Sequence, residues 1–153
     1  MKSIRRKDRE ISIQEAAELL ASAEYGTLST VGKDAQPYGV PLSYAYNNGC
    51  IYFHCALSGQ KLDNITDNPR VSFCVVGTTK ILPDQFGTEY ESAVAFGVAS
   101  EIFGEERYDA LVLLLEKYCR DFIEEGKQYI EAKDKVTKVI KISVSNIIGK
   151  ARR

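Results

Sequence analysis

A pair of alternating segments joined by a tight turn is the feature that most constrains the fold of this chain. In Gln36–Tyr46 the large side chains recur at every second position, and Asn47-Asn48-Gly49 then leads directly into the apolar segment Ile51–Cys55. Side chains of a β-strand alternate between its two faces, so this spacing predicts strands. Asn-Gly suits the positive φ angles of a two-residue hairpin turn. The sequence therefore predicts an antiparallel hairpin and, around it, an antiparallel sheet.

The rest of the chain alternates between strand-like and helical patterns. Further strands are predicted at Tyr25–Val31, Val71–Val76, Tyr90–Phe103 (bent or bulged near Gly97) and Val136–Ser145. Helices are predicted from the capping box Ser12-x-x-Glu15 to about Glu24, and at Gln60–Thr66, Glu105–Phe122 and Gly126–Lys133. A loop is predicted over residues 77–89. Six strands in short meanders, with helices before, between and after them, predict a small closed or nearly closed barrel.

Composition excludes several classes of protein. The 153 residues are 44% hydrophobic with a net charge of −1, which predicts one globular domain over residues 1–153 and no nucleic-acid partner. Residues 1–11 are basic and predict a flexible arm. No apolar run is long enough for a signal peptide or a membrane span, so a cytoplasmic protein with no membrane partner is expected. Four cysteines without a C-x-x-C pair and one histidine predict no metal site.

The junction after Ile51–Cys55 is the first candidate site. Ser58, Gly59 and Lys61 fall where the short helix begins. Unpaired N–H groups and a partial positive charge at a helix N-terminus attract anions, and the lysine adds a cation. These residues therefore predict an anion-binding turn. They also fit a plain strand-to-helix connection in which Ser58 caps the helix and Lys61 is solvated.

Two other features allow two interpretations each. Pro41 interrupts an alternating strand, and Gly39 beside it lets another group approach the backbone. Either this is an edge strand, or its backbone faces a flat ligand. His54 lies on the same strand face as Tyr52. A histidine in an apolar strand is typically a hydrogen-bonded packing residue, but an imidazole can also donate a proton to a substrate at neutral pH.

A series of short motifs connects the chain to a known family. Together they resemble the FMN-binding split barrels related to pyridoxamine 5′-phosphate oxidase, and most closely the nitroimidazole-resistance subgroup. The resemblance extends from about Ile11 to the end of the chain. Its motifs are Gly26-Thr-Leu-Ser-Thr, Pro37-Tyr-Gly-Val-Pro-Leu-Ser-Tyr, Ile51-Tyr-Phe-His-Cys-Ala, Gly59-x-Lys61-x-x-Asn64-Ile, Asn68-Pro-x-Val-x-Phe and Tyr90-Glu-Ser-x-x-x-Phe-Gly97.

The resemblance implies a fold, a cofactor and a set of site residues. The fold would be mainly β with α, a six-stranded antiparallel split β-barrel with flanking helices, and the protein a homodimer with FMN at its interface. His54 matches a histidine that faces the flavin pocket. The flavin phosphate would be bound by Lys61 with Ser58 and Gly59, in the motif that also contains Asn64. The flavin ring would contact Val40, Pro41, Leu42 and Ser43 of one subunit and Tyr90, Glu91 and Ser92 of the other.

The implied function is that of an FMN-dependent oxidoreductase. A reduced nicotinamide would reduce the flavin, which would pass electrons to a small acceptor such as a nitroaromatic compound, with His54 as the catalytic residue. One alternative is a non-catalytic flavin-binding sensor or carrier, and another is a haem-handling split barrel with His54 as the axial ligand. The chain lacks the basic second-strand residues and the C-terminal arginine/histidine motif of the oxidase proper, so vitamin B6 oxidation is not expected.

Overall fold

The computed structural model describes residues 4–153, which form an antiparallel β-structure with four α-helices. In this part of the chain no helix combines the length and hydrophobicity needed to span a bilayer. The strands are β1 (Glu10–Ile11), β2 (Gly26–Val31), β3 (Pro37–Leu42), β4 (Ala45–Asn47), β5 (Cys50–Cys55), β6 (Arg70–Leu82), β7 (Gly87–Glu101) and β8 (Lys138–Arg152). The helices are α1 (Ile13–Ser22), α2 (Gln60–Asp67), α3 (Gly104–Tyr118) and α4 (Ile123–Ala132).

The described strands form one sheet in the order β3-β2-β6-β7-β8-β5-β4, and β1 also pairs with β8. Every pairing is antiparallel, and the end strands β3 and β4 do not pair with each other. The sheet is therefore an open barrel, which confirms the predicted fold class, mainly β with flanking helices. The described chain has eight strands instead of the predicted six, because β1 forms near the N-terminus and one predicted strand is divided in two.

Two apolar clusters fix where the site lies. The barrel interior is filled by fully buried side chains that include Leu28, Phe53, Phe73 and Ile140. A second cluster lies on the opposite face of β5 and β8, under helix α3, and consists of Ala45, Tyr52, Ile102, Ala110, Leu111, Leu114 and Val139. Strand β5 is consequently covered on both faces, by the barrel core and by a helix.

The predicted strand Gln36–Tyr46 is divided at Ser43 and Tyr44. The Tyr44 ring is fully buried with its centroid 4.7 Å from that of Phe73, and its hydroxyl donates to the carbonyl oxygen of Leu20. The Tyr44 N–H donates to the Tyr118 hydroxyl at 3.0 Å, so it is not available to a strand ladder. The chain bends here because a side chain from α3 takes the place of a neighbouring strand.

The prediction of a loop at residues 77–89 is wrong. Strands β6 and β7 continue past Val76 as a long hairpin, with pairs from Thr79 opposite Tyr90 to Leu82 opposite Gly87 and a register shift between Val76 and Thr79. The polar composition of this segment is compatible with pairing because its side chains are mostly exposed. Backbone hydrogen bonds carried on from the core part of the ladder hold the extension.

Several local predictions are confirmed. Ser12 and Glu15 form both hydrogen bonds of the capping box at α1. The turn at Asn48 and Gly49 has φ angles of 48° and 73°, as a hairpin with mirror-image turn geometry requires. The register between β7 and β8 shifts at Gly97, where a Cβ atom would lie 2.3 Å from the carbonyl oxygen of Ser143.

Several element boundaries differ from the predictions, as at the ends of α1 and α3. Helix α1 ends at Ser22. Helix α3 ends at Tyr118, before a separate 3-10 turn at Arg120–Phe122, so Phe122 lies outside the helix in which it was predicted and is exposed. Residues 1–3 of the predicted N-terminal arm lie outside the described residues. From Ile4, which is buried, the arm is held against the barrel and ends in β1.

Candidate functional site

The predicted anion-binding turn lies where β5 passes into α2. Gly59 is the N-cap residue of α2, with φ 144°, and no side chain caps the helix. Ser58 is exposed and does not act as the cap, in contrast to one of its two predicted roles. The Gly59 carbonyl accepts from the N–H groups of Leu62 (2.9 Å) and Asp63 (3.1 Å). The first two N–H groups of the helix have no acceptor among residues 4–153. A Cβ atom on Gly59 would meet nothing within 4 Å, so the space over this helix end is open.

Lys61 supplies a cation at the same helix end. The side chain is half-buried and forms no ion pair within the described chain. Its ammonium group acts on Cys55: burial raises the pKa of that thiol, and the charges of Lys61 and Lys138 oppose the increase. A free ammonium group beside open N–H donors fits a phosphate, which needs charge-assisted hydrogen bonds. The residues present therefore suit the phosphate of a mononucleotide.

Asn64 fixes α2 to the barrel. It is buried, and its amide nitrogen donates to the Thr30 hydroxyl on β2 at 3.0 Å. The fit is close, because a Cβ atom on Gly32 would lie 2.5 Å from the Asn64 side-chain oxygen. Asn64 thus positions the helix that carries Lys61. A direct contact between Asn64 and a cofactor stays a prediction.

The predicted flavin-lining segment forms an exposed edge. Strand β3 pairs only with β2, with Pro41 opposite Thr27. Val40 and Leu42 pack against the barrel core, whereas Pro41 and Ser43 are exposed. The edge position explains how a proline is tolerated in this strand. The backbone of Val40–Ser43 is also open to a flat ligand, and that contact stays a prediction.

His54 lines a cavity of about 290 Å³ between β5 and helices α3 and α4. It pairs with Val139 and lies on the same strand face as Tyr52, as predicted. Ser43 lines the same cavity, so the fold brings His54 and one residue of the flavin-lining segment together. The side chain is exposed at the rim of this mostly apolar cavity, and desolvation by the cavity wall lowers the pKa of His54 from 6.5. The imidazole has no hydrogen-bond partner among residues 4–153.

Tyr90, Glu91 and Ser92, the other predicted flavin contacts, lie apart from the His54 cavity. They lie in the first half of the long β7 strand and pair with Arg152, Ala151 and Lys150 of β8. The Glu91 carboxylate accepts from Arg153 at 2.9 Å, and Arg153 also contacts Glu15 at 3.1 Å. None of the three residues lines the His54 cavity. Their predicted approach to the flavin is from a second subunit, which a single chain does not test.

The sequence analysis missed the residues that α3 contributes to this region. Arg107 and Leu111 line the His54 cavity. Tyr118 binds the backbone at Ser43–Tyr44: its hydroxyl accepts from the Tyr44 N–H and lies 2.6 Å from the Glu24 carbonyl oxygen. Helical periodicity predicts a helix at Glu105–Phe122, but it does not say which strand the helix packs against.

Lys117, also on α3, is a further residue that the sequence analysis did not identify. Its ammonium nitrogen is buried without a hydrogen-bond acceptor and lies 3.8 Å from the centroid of the Tyr44 ring and 5.2 Å from that of Tyr118. Burial lowers the pKa of Lys117 to about 8. A lysine near a helix C-terminus is ordinarily solvated, so only the fold shows that this one is enclosed by tyrosines.

The described part of the chain contains no cluster of side chains that could bind a metal ion. Among residues 4–153 no group of three or more His, Cys, Asp or Glu side chains could hold a metal ion. The cysteines Cys50, Cys55, Cys74 and Cys119 are free and half-buried. The chemistry of the region around α2 and β5 therefore rests on lysine, histidine, hydroxyl and backbone groups.

The open antiparallel barrel and the turn before α2 define a split β-barrel protein. Residues 12–151 match the family model described as pyridoxamine 5′-phosphate oxidase. The chain belongs to this family, and the predicted resemblance is confirmed. No curated protein sequence matches it.

Solved structures share the fold. A conserved hypothetical protein from Mycobacterium tuberculosis is 25% identical, with a TM-score of 0.82 over 99% of this chain and 91% of that one. A candidate 5-nitroimidazole antibiotic resistance protein from Bacteroides thetaiotaomicron is 22% identical, with a TM-score of 0.75 over 92% and 85%. An FAD- and haem-binding protein from Mycobacterium smegmatis is 14% identical, with a TM-score of 0.66 over 95% and 74%.

Replacing Lys117 by methionine is expected to stabilise the fold. The desolvation penalty of a buried ammonium group without an acceptor exceeds the stabilisation from a cation–π contact, which is about 2 kcal/mol. Lys117→Met should therefore raise the free energy of unfolding at pH 7 by about 1 kcal/mol. Below about pH 8 the folded and unfolded states both carry the charge. As the pH rises from 8 toward 10.5, the folded lysine is neutral while the unfolded one is still charged, so the wild type gains stability.

Urea unfolding at pH 7 and pH 9.5 measures this effect. The advantage of Lys117→Met should shrink at the higher pH. The control is Lys33→Met, because Lys33 is 86% exposed and its replacement should change stability by less than about 0.5 kcal/mol at either pH. A Lys117→Met protein less stable than the wild type at pH 7 would contradict the prediction.

Proposed function

We propose that this protein is a cytoplasmic FMN-dependent oxidoreductase that transfers electrons from a reduced nicotinamide to a small acceptor such as a nitroaromatic compound. The observation that carries the proposal is the unpaired Lys61 beside the open N-terminus of α2, in a chain of the pyridoxamine 5′-phosphate oxidase family. Two structural neighbours add support, because one is named as FAD-binding and another as a candidate nitroimidazole resistance protein.

The phosphate of FMN would be held at the turn before α2. Lys61 provides the cation, and the free N–H groups of the first helical turn provide donors. Ser58 adds an exposed hydroxyl that is not used as a helix cap. Asn64 keeps the helix in place through Thr30. The turn thus carries both the charge and the directional donors that a phosphate requires.

The ring would lie along the free edge of β3. The backbone of Val40–Ser43 is unpaired on that side, and Pro41 is exposed without an N–H of its own. Tyr118 holds the end of this segment in place by accepting from the Tyr44 N–H. A flat aromatic ligand against a rigid edge gains burial and stacking, which the phosphate turn alone does not provide.

A second copy of the chain would complete the site. The outer face of the sheet carries Val76 (57% exposed) and Val98 (49% exposed), with Val94, Phe96 and Ile148 between them partly exposed. An apolar sheet face of this kind is typical of a protein interface. Because Tyr90, Glu91 and Ser92 lie on β7 at the border of this face, pairing of two such faces would bring them to the partner's cofactor.

FMN supplies the redox chemistry when bound, by accepting a hydride and releasing electrons to an acceptor. The residues of the chain position the reactants. An imidazole N–H of His54 would donate a hydrogen bond to an acceptor atom in the cavity and polarise it. The leucine side chains of α3 would form the apolar wall against which the acceptor lies. In this proposal His54 is the catalytic residue.

The rival function is a flavin-binding sensor or carrier without turnover. It would use the same phosphate turn and the same dimer, and it differs only in having no electron donor. A haem-handling role is a further rival, favoured by the haem-binding neighbour and by the presence of one histidine in a cavity. The absorbance spectrum of the purified protein separates bound flavin from bound haem.

Lys61→Met should weaken FMN binding by about 10- to 100-fold, because a hydrogen bond to a charged partner contributes about 1.5–3 kcal/mol. Riboflavin lacks the phosphate, so its affinity should be the same in the variant and the wild type. Quenching of flavin fluorescence measures both affinities. The matched control is Lys33→Met, at the opposite end of α2, where the lysine is paired with Asp67 at 3.2 Å. Equal FMN affinity in Lys61→Met and wild type would overturn the phosphate assignment.

Rapid mixing of the FMN-loaded protein with NADH or NADPH under anaerobic conditions tests the reaction. The flavin absorbance near 450 nm (about the usual flavin maximum) should fall, and a nitroaromatic acceptor should restore it. His54→Gln should bind FMN as the wild type does and slow the reoxidation by the acceptor about 10-fold or more. Absence of flavin reduction by any nicotinamide would favour the sensor or carrier. Unchanged turnover in His54→Gln would remove the histidine from the mechanism.

Val98→Lys should disrupt the proposed dimer, since two lysines near a twofold axis would repel each other and remain unpaired in an apolar interface. Sedimentation velocity should show a dimer for the wild type and a monomer for the variant. FMN affinity should fall with the dimer if the partner supplies Tyr90–Ser92. Ser100→Lys is the control, because Ser100 is exposed on the same strand near its end. A monomeric wild type that binds FMN tightly would contradict the two-subunit site.

A further inference from the structure

The cavity beside His54 lies between β5 and helices α3 and α4, and most of its wall is not part of the proposed FMN site. At about 290 Å³ it is close to the lower end of ligand pockets in proteins, which begin near about 300 Å³. Tyr129 in its wall is 64% exposed, and His54 and Ser43 are exposed as well, so a ligand can reach it from solvent. Its walls are mainly the side chains of Leu111, Leu114, Leu115, Tyr118, Tyr129 and Ile130.

Arg107 lines the cavity, but its charge and its donors are already satisfied. Its guanidinium donates to the Asp134 carboxylate at 2.6 Å and to the carbonyl oxygens of Asp134 (3.2 Å) and Thr137 (3.0 Å). The Arg107 side chain is only 14% exposed, so this arrangement is firmly held. An anionic ligand would have to compete with Asp134 for the same guanidinium.

Lys133 is the third basic side chain in the cavity wall, besides Arg107 and His54. It is exposed, and its ammonium nitrogen is 6.0 Å from the centroid of the Tyr129 ring. Water screens a charge in that position. A charged group against the leucine side chains of the inner wall would lose part of its hydration without gaining a partner, which is unfavourable. The cavity therefore favours a neutral ligand.

His54 and Ser43 are polar groups in the cavity wall that are free to bind that ligand. His54 and Ser43 form no side-chain hydrogen bond with any residue from 4 to 153, and both line the cavity. A neutral imidazole offers one donor and one acceptor, and a hydroxyl can do either. They can satisfy one polar end of a ligand whose remaining surface is apolar.

We propose that this cavity binds a neutral molecule of one or two rings, with its polar end hydrogen-bonded to His54 and Ser43 and its rings between α3 and α4. Because Ser43 also ends the segment proposed to line the flavin, the molecule would be the electron acceptor. That identification rests on the proposed function, whereas the binding itself does not. The competing explanation is a packing gap that holds no ligand.

The single histidine makes the test direct, since the full chain has one imidazole Cε1–H signal in its NMR spectrum. Titration with 2-naphthol at pH 7 should shift this signal saturably. Cys119 lines the cavity. Cys119→Phe should fill the space and weaken 2-naphthol binding at least tenfold, while the matched variant Cys119→Ser leaves it open and binds as the wild type does. The same ring system with a charge, 2-naphthalenesulfonate, should bind at least tenfold more weakly than 2-naphthol.

A second variant covers the case in which Cys119→Phe does not fold. Ser43→Ala removes an exposed hydroxyl and should weaken 2-naphthol binding about fivefold. The proposal is overturned if 2-naphthol causes no saturable shift of the His54 signal, if filling the cavity does not weaken binding, or if the sulfonate binds as tightly as the naphthol. The outcome is independent of flavin: binding of 2-naphthol without FMN binding would refute the proposed function alone, and FMN binding without 2-naphthol binding would refute the cavity proposal alone.

Discussion

The ladder between β7 and β8 is the constraint on which the rest of the structure depends. Strand β8 pairs along β7 and also holds β1 and β5, so it joins the N-terminus and the site-bearing strand to the sheet. The ladder bends at Gly97, where the Ser143 carbonyl oxygen occupies the space of a side chain. A bulge increases local twist, which lets one long strand pair curve into a barrel wall instead of extending as a flat sheet.

The position of the candidate site follows from the register of that strand. Pairing of Phe53 with Ile140 and of His54 with Val139 directs one side chain into the barrel core and the other toward α3. A slip by one residue would exchange the two faces. The same strand then ends at the turn before α2, which Asn64 anchors to β2. The pairing of β5 with β8 therefore determines the positions of both the turn before α2 and the cavity beside His54.

Features that depend on a few neighbouring residues were predictable. The capping box at Ser12 and Glu15, the turn at Asn48-Gly49 and the bulge at Gly97 each follow from backbone preferences of the residues involved. The predicted fold class and the turn of Ser58, Gly59 and Lys61 rest on such signals and on the family resemblance. The break at Ser43–Tyr44 was not predictable, because it depends on a hydroxyl from Tyr118.

The sequence by itself determined the antiparallel barrel, the family and the cation at a helix N-terminus, since these follow from alternation, turn chemistry and residue spacing. Only the tertiary structure decided that residues 77–89 form a hairpin, that Lys117 is enclosed by tyrosines, and that His54 faces a cavity with Ser43. The physical reason is that burial and strand pairing are set by distant partners. A residue's own chemistry states what it can bind, and the packing of other elements against it decides what it can reach.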